Sequence, residues 1–404
     1  MSITSGPCVF IWNHYNVIMR YKVIPEDFVV ESLLQRSPLS QGRYSVYRVQ
    51  KRGVTTLHAQ RHMAARLGIR HSAVVFPALK DKDAVAIQYA CVRGSGPARL
   101  DGPGYTATLV GYSDERLQPR HLRGNRFTVV LRDLSSSEAA HIQRRAAEIS
   151  QCGLPNYYDE QRFGSYAPEF GFIGKLILQR DAESALRAYL SQPFTGDPPR
   201  DAAFKALVQT RWGDWSALFE AAPKPSNARS ILTYLTDHPQ DIRHALNLIP
   251  ARLLSLYLVA YQSYLWNRVA GRYLGGLLPT TRALAVLGEH LPLYETLPED
   301  LATQLRDVQI PLLHHRAVFS EARVAALVSA VLSEEGLTLR DFKARILQKA
   351  YLPAGSRALL VFPAQLSVTE AQPDDLFSGR SKMTVSFSLP RGSYATLLIQ
   401  ALGA

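Results

Sequence analysis

Ser150-Gln151-Cys152-Gly153-Leu154-Pro155 is the stretch at which the texture of this 404-residue chain changes, and the fold class follows from what lies on either side of it. On the N-terminal side the sequence reads mainly as strands. Runs rich in β-branched and aromatic residues at 43–50, 73–76, 86–92, 105–110 and 127–131 are each bounded by Gly, Pro or charged turns. Two helices interrupt them. One is predicted over 56–67, with Thr55 as cap and Gly68 at its end. The other spans 137–151, capped by Ser135 or Ser136 and closed by Gly153. Beyond Pro155, from about 169 to 348, helical periodicity dominates, at 171–179, 202–210, 228–235 and 251–273. Strand character returns at 358–362 and 384–389. Strands, then helices, then strands again predict an α/β (α+β) protein. Its mixed, mostly antiparallel sheet domain, residues 1–154 and 350–404, is interrupted by a mostly helical inserted domain, 155–349.

Composition narrows the partners. The chain carries 46 Lys and Arg against 34 Asp and Glu, a net of +12. Residues 1–152 hold 21 basic and 11 acidic side chains, whereas the remainder holds 25 and 23, so the excess is confined to one segment. Such a patch suits a polyanion, and arginine's planar fork suits phosphate and base faces. No run of about eighteen apolar residues is free of charge, so no membrane span is expected. The apolar opening 8–19 is broken by Asn13, His14 and Asn16 and reads as a buried first strand rather than a leader. Cys8, Cys91 and Cys152 are scattered and odd in number, which suggests neither a disulfide framework nor a zinc cage. A cytoplasmic location is expected.

The chemistry-bearing segment is Ala78-Leu79-Lys80-Asp81-Lys82-Asp83-Ala84-Val85, where two carboxylates alternate with lysines between predicted strands. Flanking cations suit a carboxylate that works as nucleophile or general base; a solvated charged loop would have the same composition. His58 and His62, one helical turn apart, lack further ligands and read as surface residues, and Gly94-Ser95-Gly96 lacks the ending of a phosphate loop.

Six segments, taken in order, give that loop a context. Lys22-Val23-Ile24-Pro25-Glu26-Asp27-Phe28-Val29-Val30-Glu31 resembles the opening motif of the TruD family of pseudouridine synthases. Leu79 to Gln88 resembles its K-D-x-x-A-x-T-x-Q segment, and Gly124-Asn125-Arg126-Phe127 its G-N-x-F motif. Pro155-Asn156-Tyr157-Tyr158-Asp159-Glu160-Gln161-Arg162-Phe163-Gly164 is similar to P-N-Y-F-G-x-Q-R-F-G. Tyr261-Gln262-Ser263-Tyr264-Leu265-Trp266-Asn267 is similar to F-Q-S-Y-L-F-N, and Phe387 to Thr396 to F-x-L-P-x-G-S-Y-A-T. Ala86, Asp159 and Ser32 depart from the usual Thr, Gly and acidic residue.

The resemblance implies an RNA pseudouridine synthase acting on tRNA, at uridine 13 of the D arm, without cofactor or metal. It implies Asp81 as the catalytic carboxylate and Lys22 as its ionic partner. Phe127 would stack on the extruded uracil, with Phe28 and Phe387 as pocket walls. Asn125 would support the aspartate loop or bind the nucleotide. Arg162 would bind RNA phosphate, although pairing with Asp159 or Glu160 suits it equally. The protein is expected to act as a monomer.

Overall fold

The computed structural model describes residues 10–12, 19–194, 197–278 and 282–403. Of the strand expected within 8–19, Phe10–Trp12 is present and runs antiparallel to Met19–Tyr21; Cys8 and residues 13–18 lie outside the described residues. The chain forms two compact units. The first runs to Pro155 and adds Glu295–Thr303 and the chain from Leu360 onward; the second comprises Asn156–Tyr294 and Gln304–Leu359.

In the first unit the described residues build an eleven-stranded sheet around the long strand Leu122–Leu134. On one side of that strand lies Ser381–Pro390, antiparallel, with Phe127 directly opposite Phe387. On the other lies Phe28–Leu34, also antiparallel. Next come Val85–Arg93, Tyr44–Arg52, Tyr105–Ser113 and Arg99–Gly102. Every pairing is antiparallel except Phe28–Leu34 with Val85–Arg93, as a mixed, mostly antiparallel sheet requires. Gly124 has to be a glycine, because a Cβ there would collide with the carbonyl oxygen of Leu389 on the neighbouring strand.

Helix Thr56–Arg66 starts where the Thr55 hydroxyl accepts the His58 N–H. It buries Ala59, Met63 and Ala64 against Tyr47, Val49, Ala90, Leu100 and Ala107 of the sheet. Helix Ser136–Cys152 begins with a reciprocal cap between Ser135 and Glu138 and ends at Gly153, φ 69°. The run 73–76 is not a strand. His71–Ala73 is a single 3-10 turn, and Val75 alone bridges Cys91, each donating to the other at 2.9 Å. The parallel partner Phe28–Leu34 leaves Val85–Arg93 after Ile87, which frees an edge that only one residue fills.

The second unit is organised on the 25-residue helix Ala251–Gly275, which buries Tyr261, Leu265 and Trp266 completely. Its polar residues anchor loops of the same unit. Gln262 Nε2 donates to the carbonyls of Leu313 and Pro353 at 2.8 and 3.0 Å, Trp266 Nε1 donates to Ile310 O, and Asn267 exchanges two bonds with the backbone of Tyr158. Helical periodicity conceals a hairpin here, Arg282–Val286 with Glu289–Leu293. Leu287 and Gly288 form its two-residue turn at φ 50° and 79°.

Candidate active site

Two short connections of the first unit converge on its central strand, and the turn from Lys22 to Phe28 is the first. Lys22 takes a left-handed backbone, φ 59°, an uncommon conformation for a side chain of this length. The turn is fixed by Asp27, fully buried. Its Oδ2 accepts the Ile24 N–H at 3.1 Å and its Oδ1 accepts Arg132 Nε at 2.9 Å. Arg132, itself buried, also donates to Asp374 at 2.8 Å and Asp375 at 2.9 Å, so the buried charges are paired.

From this turn Lys22 Nζ reaches Asp81 Oδ2 at 3.3 Å and lies 4.2 Å from the centre of the Phe28 ring. The two partners differ in access. The Lys22 side chain is 6% exposed and that of Asp81 55%, so a buried ammonium holds a carboxylate that faces solvent. Phe28, Phe127 and Phe387 extend the site as an aromatic row. Phe28 meets Phe127 edge-on, with ring centres 6.0 Å apart, and Phe127 stacks on Phe387 at 5.2 Å. All three are buried, and Phe127 keeps 7% of its surface open.

The second connection is the aspartate loop. The Thr56 hydroxyl accepts the Lys80 N–H at 3.1 Å and donates to Gln88 Oε1 at 3.2 Å. Lys51 Nζ donates to the carbonyl oxygens of Asp81 and of Val54. The central strand contributes Asn125, beside Gly124, whose Oδ1 accepts Lys80 Nζ. Burial pulls the Lys80 ammonium down to about 8, with Asp81 opposing the change and Lys51 adding to it. Burial likewise lowers Lys51, against the pull of Asp81 and Asp83.

Six of the seven candidate residues therefore sit in one cluster of the first unit: Lys22, Phe28, Asp81, Asn125, Phe127 and Phe387. Arg162 belongs to the second unit, on the turn Glu160–Phe163, where its Nε bonds to Ser263 Oγ at 3.2 Å. The sequence reading missed Lys51 altogether. It quoted Lys80 as a cation flanking Asp81, Gln88 as the end of the motif, and Thr56 only as the start of a helix, without the contacts that join them. Lys51 did carry a signal, since it falls on the same face as Tyr47 and Val49, where alternation calls for an apolar residue. His62 shares a hydrogen bond with the Tyr105 hydroxyl at 2.8 Å. Among the described residues, no group of three or more His, Cys, Asp or Glu is placed to hold a metal ion. No helix among the described residues is long and apolar enough to cross a membrane.

Fold and site together define a mixed α/β protein with a carboxylate–ammonium pair set beside clustered phenylalanines. The chain belongs to the tRNA pseudouridine synthase D (TruD) family, whose profile matches residues 5–402. It is similar to the tRNA pseudouridine synthase D of Aquifex aeolicus, 28% identical over 390 residues, covering 95% of this chain and 98% of that one. The tRNA pseudouridine synthase D of Geobacter sp. strain M21 is 27% identical, with 94% and 95% covered. A TruD crystal structure from Methanosarcina mazei superposes with a TM-score of 0.71 over 95% of this chain and 92% of that chain at 24% identity, which is a likeness of fold.

Proposed function

We propose that this protein isomerises uridine to pseudouridine in tRNA, at uridine 13 of the D arm, with Asp81 as the catalytic carboxylate and no cofactor. The observation that carries the reading is the Lys22–Asp81 pair at 3.3 Å, with the carboxylate open to solvent and the ammonium buried beside Phe28. The reaction asks for little more. The bond from ribose C1′ to uracil N1 breaks, the uracil turns, and C5 joins C1′; the proton lost from C5 balances the one N1 gains. A carboxylate can drive this by adding to the sugar or by taking a ribose proton, and either route uses the exposed Asp81 side chain. Lys22 holds that carboxylate in place through Oδ2 and offsets its charge.

An extruded uracil needs an apolar platform and polar groups for its edge, and the Phe28–Phe127–Phe387 row, with Asn125 two residues from Phe127 on the same strand, fits that need. Phe127, the most open of the three, is the ring assigned to the base. Arg162 is assigned to phosphate. The basic excess of residues 1–152 favours a polyanionic substrate over a small nucleoside.

Pseudouridine mapping of total RNA incubated with and without the protein tests the reading. A new modification at position 13 of tRNA is expected. Modification confined to other RNAs would overturn the substrate, and none at all would leave a non-catalytic RNA-binding protein.

A further inference from the structure

Lys51 is entirely out of water, on a strand face where its ladder neighbours are Ala86 and Tyr105. A lysine in such a place is expensive to bury, and an apolar residue would fill the same volume more favourably. Its ammonium goes to two main-chain oxygens. One is the carbonyl of Val54, at 2.9 Å, in the turn before helix Thr56–Arg66; the other is the carbonyl of Asp81 itself. Thr56, also buried, takes the neighbouring Lys80 N–H and is backed by buried Gln88. Lys51 and Thr56 are five residues apart in sequence, and together they hold residues 80 and 81, with Lys51 anchored in turn on Val54.

We infer that Lys51 is a positioning residue for the pseudouridine-forming reaction, setting the height and direction of the Asp81 carboxylate by holding its backbone carbonyl. The inference rests on the assignment of Asp81 as the catalytic group. Lys22 binds the carboxylate itself, whereas Lys51 binds the main-chain carbonyl of the same residue and is buried away from solvent. Of the two, Lys51 acts only on where the acid stands. The acid is more than half in water, so its position depends on the few bonds that tie the loop. Misplacement of a catalytic group by about 1 Å can lower rate by roughly a hundredfold.

The test is single-turnover pseudouridine formation on a tRNA transcript, with RNA affinity by filter binding, for the full chain and for Asp81→Asn, Lys51→Met, Thr56→Val and the Lys51→Met/Thr56→Val double variant. Lys51→Met is expected to bind RNA within about threefold of the unmodified protein and to react at least tenfold more slowly, on the order set by misplacement. Thr56→Val is expected to show a smaller loss of the same kind. The double variant should react little more slowly than Lys51→Met, because both bonds hold one loop. If Lys51→Met does not fold, Thr56→Val decides, and an unchanged rate there overturns the inference. Lys51→Met at full rate, or losing rate and affinity in equal measure, overturns it too. Activity in Asp81→Asn would instead bring down the assignment of Asp81, a result distinct from an inactive Asp81→Asn beside a fully active Lys51→Met.

Discussion

Lys80→Met should make this protein more stable at neutral pH, although it removes a hydrogen bond. Burial is the first reason the Lys80 ammonium is held at about 8 against an ordinary 10.5. That gap places a penalty of roughly 3 kcal/mol on the charged form in the folded chain. A lysine depressed in this way binds fewer protons folded than unfolded between those two values. Its penalty is therefore full below about pH 8 and disappears as pH rises through 10.5. Removing the charge recovers the penalty and forfeits the bond to Asn125 Oδ1, about 1–2 kcal/mol. The net expectation is about 1–2 kcal/mol of stabilisation at pH 7, a rise of roughly 2–8 °C in melting temperature for a unit of this size. Thermal melts of both proteins at pH 7 and pH 10.5 check it, and at the higher pH the advantage should vanish or reverse. A variant less stable at pH 7, or a difference that ignores pH, would refute the reasoning. The same variant should form pseudouridine more slowly, because Asn125 loses the group that holds it; stability and activity are then set against each other at this position.

Phe387→Ala removes a fully buried ring from the stack on Phe127, and urea denaturation should show a loss of about 3–5 kcal/mol. A loss below about 1 kcal/mol would mean that the aromatic row is not packed as described. RNA affinity should fall steeply between 50 and 200 mM salt, by roughly a thousandfold if six or more phosphates are contacted. Filter binding across that range measures it, and a flat response would remove the argument from the basic segment.

Local rules carried the sequence a long way in this fold. Period-two runs and turn residues located the strands Tyr44–Arg52, Val85–Arg93 and Tyr105–Ser113 to within a few residues. Ser135 and Gly153 bracketed helix Ser136–Cys152 as capping predicts. What failed was decided by tertiary context. Residues 73–76 have strand composition, but only Cys91 offers them a free edge. The hairpin Arg282–Leu293 is short, and its turn signal is a single Leu-Gly pair inside a helical neighbourhood.

The site was legible only through resemblance. Lys22 and Asp81 are 59 residues apart, and no periodicity links them. The loop clamp is harder still to see, since Thr56 meets Lys80 across 24 residues and Lys51 meets Asp81 across 30. Such contacts arise from strand order, which follows from the one parallel crossover between Phe28–Leu34 and Val85–Arg93. Lys51 was the exception, a charged residue at an apolar register position.

Asp81→Asn keeps the shape of the side chain and deletes its negative charge, so it isolates the one group on which the chemistry turns. Incubated with a tRNA transcript at saturating protein, the variant should leave no detectable pseudouridine while binding the RNA within about threefold of the unmodified chain, since only the charge opposite Lys22 is lost. Pseudouridine formed at an unchanged rate by Asp81→Asn would contradict the account.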